Sequence, residues 1–198
     1  MSMNDHINGL VLSRYYQLCR IKSIRHALPT STAIQVVNLF IISRVDYCNS
    51  ILAGVPKYQF DRLQSILNVA VRLIFGYSRY DHITLLLRDG LHWLRATQRI
   101  DFKRCLIVFK TLHSLAPGYI LDYCVRVSTN QRWSSLRSVS HNCLVVPPPS
   151  KTIKFGERSF GIWGPTTWNS LPDSVKDADS IDLLKTRLKP YLFGLSYG

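Results

Sequence analysis

The stretch KYQFDRLQSILNVAVRLIFG, Lys57 to Gly76, decides how the rest of the chain is read. At 100° per residue, Lys57, Asp61, Gln64, Ser65, Asn68 and Arg72 share an arc of about 100°. Phe60, Leu63, Ile66, Leu67, Ala70, Val71, Leu73 and Ile74 cover most of the remaining circumference. Only one stripe can face water, so the spacing predicts a helix buried on most of its sides. Gly76 is the stop signal, because a residue without Cβ enters the left-handed C-cap conformation at no steric cost.

Outward from this helix the pattern stays helical. Residues 10–28 place Leu10, Leu18, Ile21 and Ile24 among basic positions, and Pro29 ends that helix. Ser31 or Thr32 is positioned to cap the next helix, which runs to about Leu52. Its β-branched residues Ile34, Val36, Val37, Ile41 and Ile42 keep a strand open as the alternative for its first half. "AGVP" at 53–56 breaks the chain. Beyond Gly76, Asp81–Arg88 reads as a short helix ended by Gly90. Ala96–Ser114 reads as an amphipathic helix, "LAPGY" as a turn, and Ile120–Val125 as a last helical turn.

From about Arg126 the helical period fades and Ser, Pro and Asn accumulate. "CLVVPPP" and "TIKF" read as short strands or extended pieces. Pro165 can open a short helix reaching Asn169. "DSIDLLKTRLKPYLF" reads as a helix capped by Asp179 or Ser180, with Pro190 expected to bend or end it. The expected fold is therefore mostly α, with a helical bundle over 1–125. An irregular segment with short strands and a C-terminal helix fills 126–198.

Twenty-five Lys and Arg stand against twelve Asp and Glu in 198 residues, a net charge of +13. Such a field favours anionic partners, nucleic acid first. The excess is uneven: residues 125–172 carry six basic and one acidic side chain, whereas 173–198 balance four with four. Five dispersed cysteines without a Cys-x-x-Cys pair read as reduced thiols of an intracellular protein, in nucleus or cytoplasm. The most apolar run, Ala33–Ile42, contains Gln35 and Asn38 and is too short to span a bilayer, so no membrane partner is expected.

The search for catalytic chemistry finds little. Asp177 and Asp179 precede a helix, where acids favour the N-terminal dipole rather than a metal. His141 and Cys143 lack a second pair to complete a zinc site. No phosphate loop, G-x-S-x-G or H-E-x-x-H occurs. Neither catalytic residues nor a metal or other cofactor is expected. What survives is basic charge beside aromatics, a pattern that neutralises phosphates and stacks bases. Arg95, Arg99, Lys103 and Lys110 share an arc of about 80° on one predicted helix. Arg14, Arg20, Lys22 and Arg25, with Tyr15 and Tyr16, form a second group. The phrase FGERSFGIWGPTTWNSLP, Phe155 to Pro172, admits three readings: active-site loop, stacking surface or structural corner. Lys154 and Arg158 are its phosphate-contacting candidates, and Trp163 and Trp168 its candidate core anchors.

Four long motifs add a resemblance. "VDYCNSILAGVPKYQFDRLQSILNVAVRLIFG", "DHITLLLRDGLHWL", "QRIDFKRCLIVFKTLHSLAPGYI" and "FGERSFGIWGPTTWNSLP" occur in order. Together they resemble the C-terminal, thumb-like and following region of reverse transcriptases from LINE-type (non-LTR) retrotransposons of the Jockey-like group. Arg95 stands where relatives commonly carry proline, "DGLHWL" is one residue longer than usual, and Leu184 replaces a usual phenylalanine. The resemblance implies that the family's catalytic aspartates and endonuclease lie upstream of the matching segment. No polymerase activity is therefore expected of this chain, which would contact RNA or an RNA/DNA hybrid without reading sequence. The alternative is an inert structural or interaction remnant whose exposed apolar helix faces once packed on a palm domain or another protein.

Overall fold

The computed structural model describes residues 3–52, 54–129, 142–148 and 159–198, and the fold is mostly α. These residues belong to two compact units, the first comprising residues 1–100 with Tyr197 and the second residues 101–196 with Gly198. Composition changes at 125/126, whereas the compact units divide between Ile100 and Asp101.

The first unit is built on α1 (Met3–Ile24), α2 (Thr30–Val37), α3 (Ser43–Asp46) and α4 (Lys57–Phe75). Helix α1 starts earlier than its apolar pattern suggested. Ile7 and Val11 extend the stripe of Leu18 and Ile21, and all four are buried. A 3-10 turn, Arg25–Ala27, carries the chain to Pro29. Helix α2 begins directly behind that proline without a side-chain cap, so the predicted Ser31 or Thr32 cap is not used. The strand alternative gives way to helix here. A π turn, Asn38–Ile42, joins α2 to α3 and buries Ile41 and Ile42 while Leu39 and Phe40 face outward.

Helix α4 has the bounds its wheel predicts. Leu63, Ile66, Leu67, Ala70, Val71 and Ile74 are buried where α4 packs against α1 and α2. Each fully buried aliphatic side chain of this size contributes about 1.5–3 kcal/mol. Gly76 follows with φ +73°, and its cap is closed by a bond from the Tyr77 amide to the Arg72 carbonyl at 3.0 Å. The helix expected over 81–88 is instead a π turn at Leu86–Gly90 that buries Leu87.

The helix α5 (Ala96–Leu112) contributes its first residues to the first unit and the rest to the second. The second unit continues through 3-10 turns at Gly118–Tyr123 and Val127–Thr129. It then adds α6 (Phe160–Asn169), α7 (Asp173–Lys176) and α8 (Ile181–Tyr197). Of the expected extended pieces, the described part of "CLVVPPP" (143–148) forms an antiparallel bridge, Arg126 with Leu144, and "TIKF" lies outside the described residues.

Two prolines behave differently from the sequence reading. Pro165 was expected to open α6, yet that helix starts at Phe160 and carries Pro165 inside it. Its buried face is Gly161, Gly164, Pro165 and Trp168, a spacing that returns to one side of the helix. A Cβ on Gly161 would lie 2.7 Å from the Tyr123 ring, and one on Gly164 would lie 3.1 Å from Phe160. Close packing therefore explains these glycines, where the sequence suggested a corner. Pro190 was expected to bend or end α8, but the helix continues to Tyr197. Leu184, Leu188 and Leu192 are buried on one face at both sides of the proline, and this packing opposes the break. Ser180 is the cap, its hydroxyl accepting from the Leu183 amide at 3.2 Å.

Candidate nucleic-acid interface

Where the last turns of α1 run beside those of α4, the first unit opens into a cleft of ≈ 720 Å³. Leu18, Val69 and Leu73 supply its apolar lining, and Tyr15 and Tyr77 its aromatic walls. Lys22, Arg25, Arg72 and Arg79 surround it with positive charge, and none of its lining residues is a carboxylate. A concave surface lined by one sign of charge focuses its field and raises the local concentration of anions.

Each cation is held differently. Arg25 is anchored, its guanidinium donating to the carbonyls of Leu28 at 2.7 Å and of Ile74 at 2.6 Å. The bond to Ile74, with one to the Leu73 carbonyl at 3.0 Å, satisfies end carbonyls of α4, the usual use of a cation at a helix C-terminus. Arg72 donates to the Asp81 carbonyl at 3.3 Å, which leaves its charge unpaired by any carboxylate in that bond. Lys22 and Arg79 are exposed. Tyr15 is steadied by a hydrogen bond with Ser65, and Tyr77 stays 45% exposed beside the Gly76 turn.

Of the sequence-selected group on α1, the structure thus brings Lys22 and Arg25 together with Tyr15. Arg14 is directed elsewhere, to the Phe40 carbonyl and Ser13. Burial, with a smaller contribution from Arg44, lowers its pKa below the ordinary arginine value. Arg20 is exposed and lies over the Tyr16 ring at 5.9 Å, outside the cleft lining.

The stripe on α5 does not act as one surface. Arg99 is paired with Asp46 at 2.7 Å, donates to the Leu94 carbonyl at 2.9 Å and lies over Trp93. Only 12% of its side chain is exposed, so its charge is committed to the fold. Arg95 is exposed in the first unit, and Lys103 and Lys110 are exposed in the second. Lys154 and Arg158 lie outside the described residues.

Sequence reasoning did not select Arg72 and Arg79 as site residues. Arg72 belonged to the wet stripe of α4, and Arg79 stood alone after the helix. The Gly76 cap was the available signal, since a left-handed C-cap folds the following residues back beside the last turn.

The described residues include no group of three or more His, Cys, Asp or Glu able to hold a metal ion. Among them, no helix is long and apolar enough to cross a membrane. Burial pushes the Cys105 thiol up to about 12 and the Cys124 thiol up to about 11, which keeps both as unreactive thiols. No protein-family model, curated protein or solved structure matches the chain.

Proposed function

We propose that the chain is a thumb-like C-terminal piece of a LINE-type reverse transcriptase that binds RNA or RNA/DNA hybrid through phosphate neutralisation, without polymerase activity. The four ordered sequence motifs support the family, and the mostly α fold is compatible with it. The observation that carries the binding reading is the convergence of Lys22, Arg25, Arg72 and Arg79 on a cleft without carboxylates. Backbone contacts of this kind supply affinity and little sequence preference.

The test is fluorescence anisotropy of the full chain with labelled RNA and hybrid probes of unrelated sequences. Neutralising three or four phosphates lowers affinity by about 20- to 150-fold between 50 and 200 mM salt. Different sequences should bind within a few fold of one another. A flat salt response overturns the reading.

A second reading, an interaction remnant without nucleic-acid binding, has its own observation. Leu39, Phe40, Tyr47 and Ile51 are large apolar side chains that remain exposed around α3. Under that reading the chain binds no RNA at low salt. It binds a hydrophobic dye instead, and Leu39→Ser with Phe40→Ser abolishes the dye signal.

A further inference from the structure

We infer that the α1–α4 cleft receives an unstacked nucleotide of a single strand, with its phosphates on Lys22, Arg72 and Arg79 and its base against Tyr77. This rests on the nucleic-acid reading above and makes it more specific.

Three observations lead there. First, the cleft is concave, and its ≈ 720 Å³ suits a ligand of nucleotide size. A duplex presents phosphates on a convex cylinder and keeps its bases inside, so it would touch only the cationic rim. Second, the lining is mixed. Val69 and Leu73, both partly exposed, give apolar area that no phosphate uses, but the face of a base does. Third, the aromatic ring is in place. Tyr77 is 45% exposed and lies directly after the cap, where its amide bonds to the Arg72 carbonyl at 3.0 Å. Ring and guanidinium therefore arise from the same helix end, one suited to a base and the other to its phosphate. Arg25 positions this end by holding the Leu73 and Ile74 carbonyls. The nearest acid in sequence, Asp81, directs its carboxylate to the Ser78 amide.

Cys19 provides an internal reporter, because it is exposed and lines the cleft, whereas Cys48 is exposed but is not among the lining residues. The experiment uses the full chain with a 12-nucleotide single-stranded RNA and with a duplex RNA of the same sequence. Affinity is read by anisotropy, and thiol alkylation is mapped by mass spectrometry. The single strand should bind about tenfold tighter than the duplex. Tyr77→Ala should remove about tenfold of single-strand affinity and leave duplex affinity unchanged. Arg79→Ala should lower the salt slope for the single strand by about 1. Single-stranded RNA should protect Cys19 and leave Cys48 reactive. Tyr119→Ala, a change at an exposed tyrosine of the second unit, should alter none of these values.

Equal affinity for both probes, unchanged by Tyr77→Ala and with Cys19 still reactive, overturns the single-strand cleft while backbone binding stands. Failure to bind either probe at low salt overturns both readings.

Discussion

Two places in this protein use positive charge in opposite ways. In the first unit, Lys22, Arg72 and Arg79 surround an open cleft, where Lys22 and Arg79 are exposed and Arg72 is half-buried. In the second unit, Arg104 is buried, with only 6% of its side chain exposed. It reaches Asp101 at 3.3 Å and Thr167 at 3.4 Å, and its guanidinium lies 5.0 Å over the Trp163 ring. Burial lowers the Arg104 pKa, and burial raises that of Asp101 against the pull of Arg104. A cation in the cleft can meet a ligand, whereas Arg104 is already solvated by the protein. Desolvation decides between the two uses, because a buried charge needs partners that an exposed one obtains from water.

The comparison can be pressed hardest at the second unit's aromatic core. Trp168 is buried, its indole donates to the Asn142 carbonyl at 3.1 Å, and its ring meets Phe109. Trp168→Ala should cost about 3–5 kcal/mol in urea unfolding. A loss under 1 kcal/mol would show that this unit has no such core.

Next comes the contrast between the cations themselves. Arg104→Ala leaves Asp101 and the Trp163 face without their partner and should cost about 2–3 kcal/mol. Lys22→Ala should change stability by less than about 0.5 kcal/mol while lowering the salt slope of RNA binding by about 1. Similar stability losses for both variants would erase the distinction.

The glycines of α6 offer a smaller effect. Gly161→Ala should cost about 1 kcal/mol, since the new Cβ meets the Tyr123 ring and that ring is half exposed and can shift. Adding Tyr123→Ala should recover much of the loss in a double-mutant cycle.

The smallest effect is in pH. The folded state holds the Asp101 proton more tightly than the unfolded chain does, because burial raises this carboxyl. Its contribution to stability is therefore present below the ordinary carboxylate range and is lost as pH rises through the raised value. Urea midpoints should fall as pH rises from the ordinary carboxylate range through that raised value, and Asp101→Asn should remove that part of the slope.

Much of the fold could be read locally. Helix α4 was legible in full, because its polar arc, apolar remainder and Gly76 all agree. The cap of α8 was legible to within one residue, Asp179 or Ser180, whereas α1 ends at Ile24, ahead of the expected stop at Pro29. The π turns were not, since a helical wheel assumes a constant period. Pro165 and Pro190 misled because their local rule concerns an isolated helix, while here residues at both sides of each proline are buried. The candidate site was half legible. Tyr15 and Lys22 stood out in α1 and Arg25 directly after it, but Arg72 and Arg79 join them only when α4 is laid alongside.

By itself, then, the sequence determined the helical character, the net charge of +13 and the face that α4 would bury. These follow from residue type and spacing, which act within a turn or two of the chain. Only the tertiary structure decided which cations remained available. Asp46, 53 residues away, took Arg99, and the carbonyls ending α4 took Arg25. Electrostatic pairing acts through space, so a charge's freedom depends on neighbours that no local pattern names.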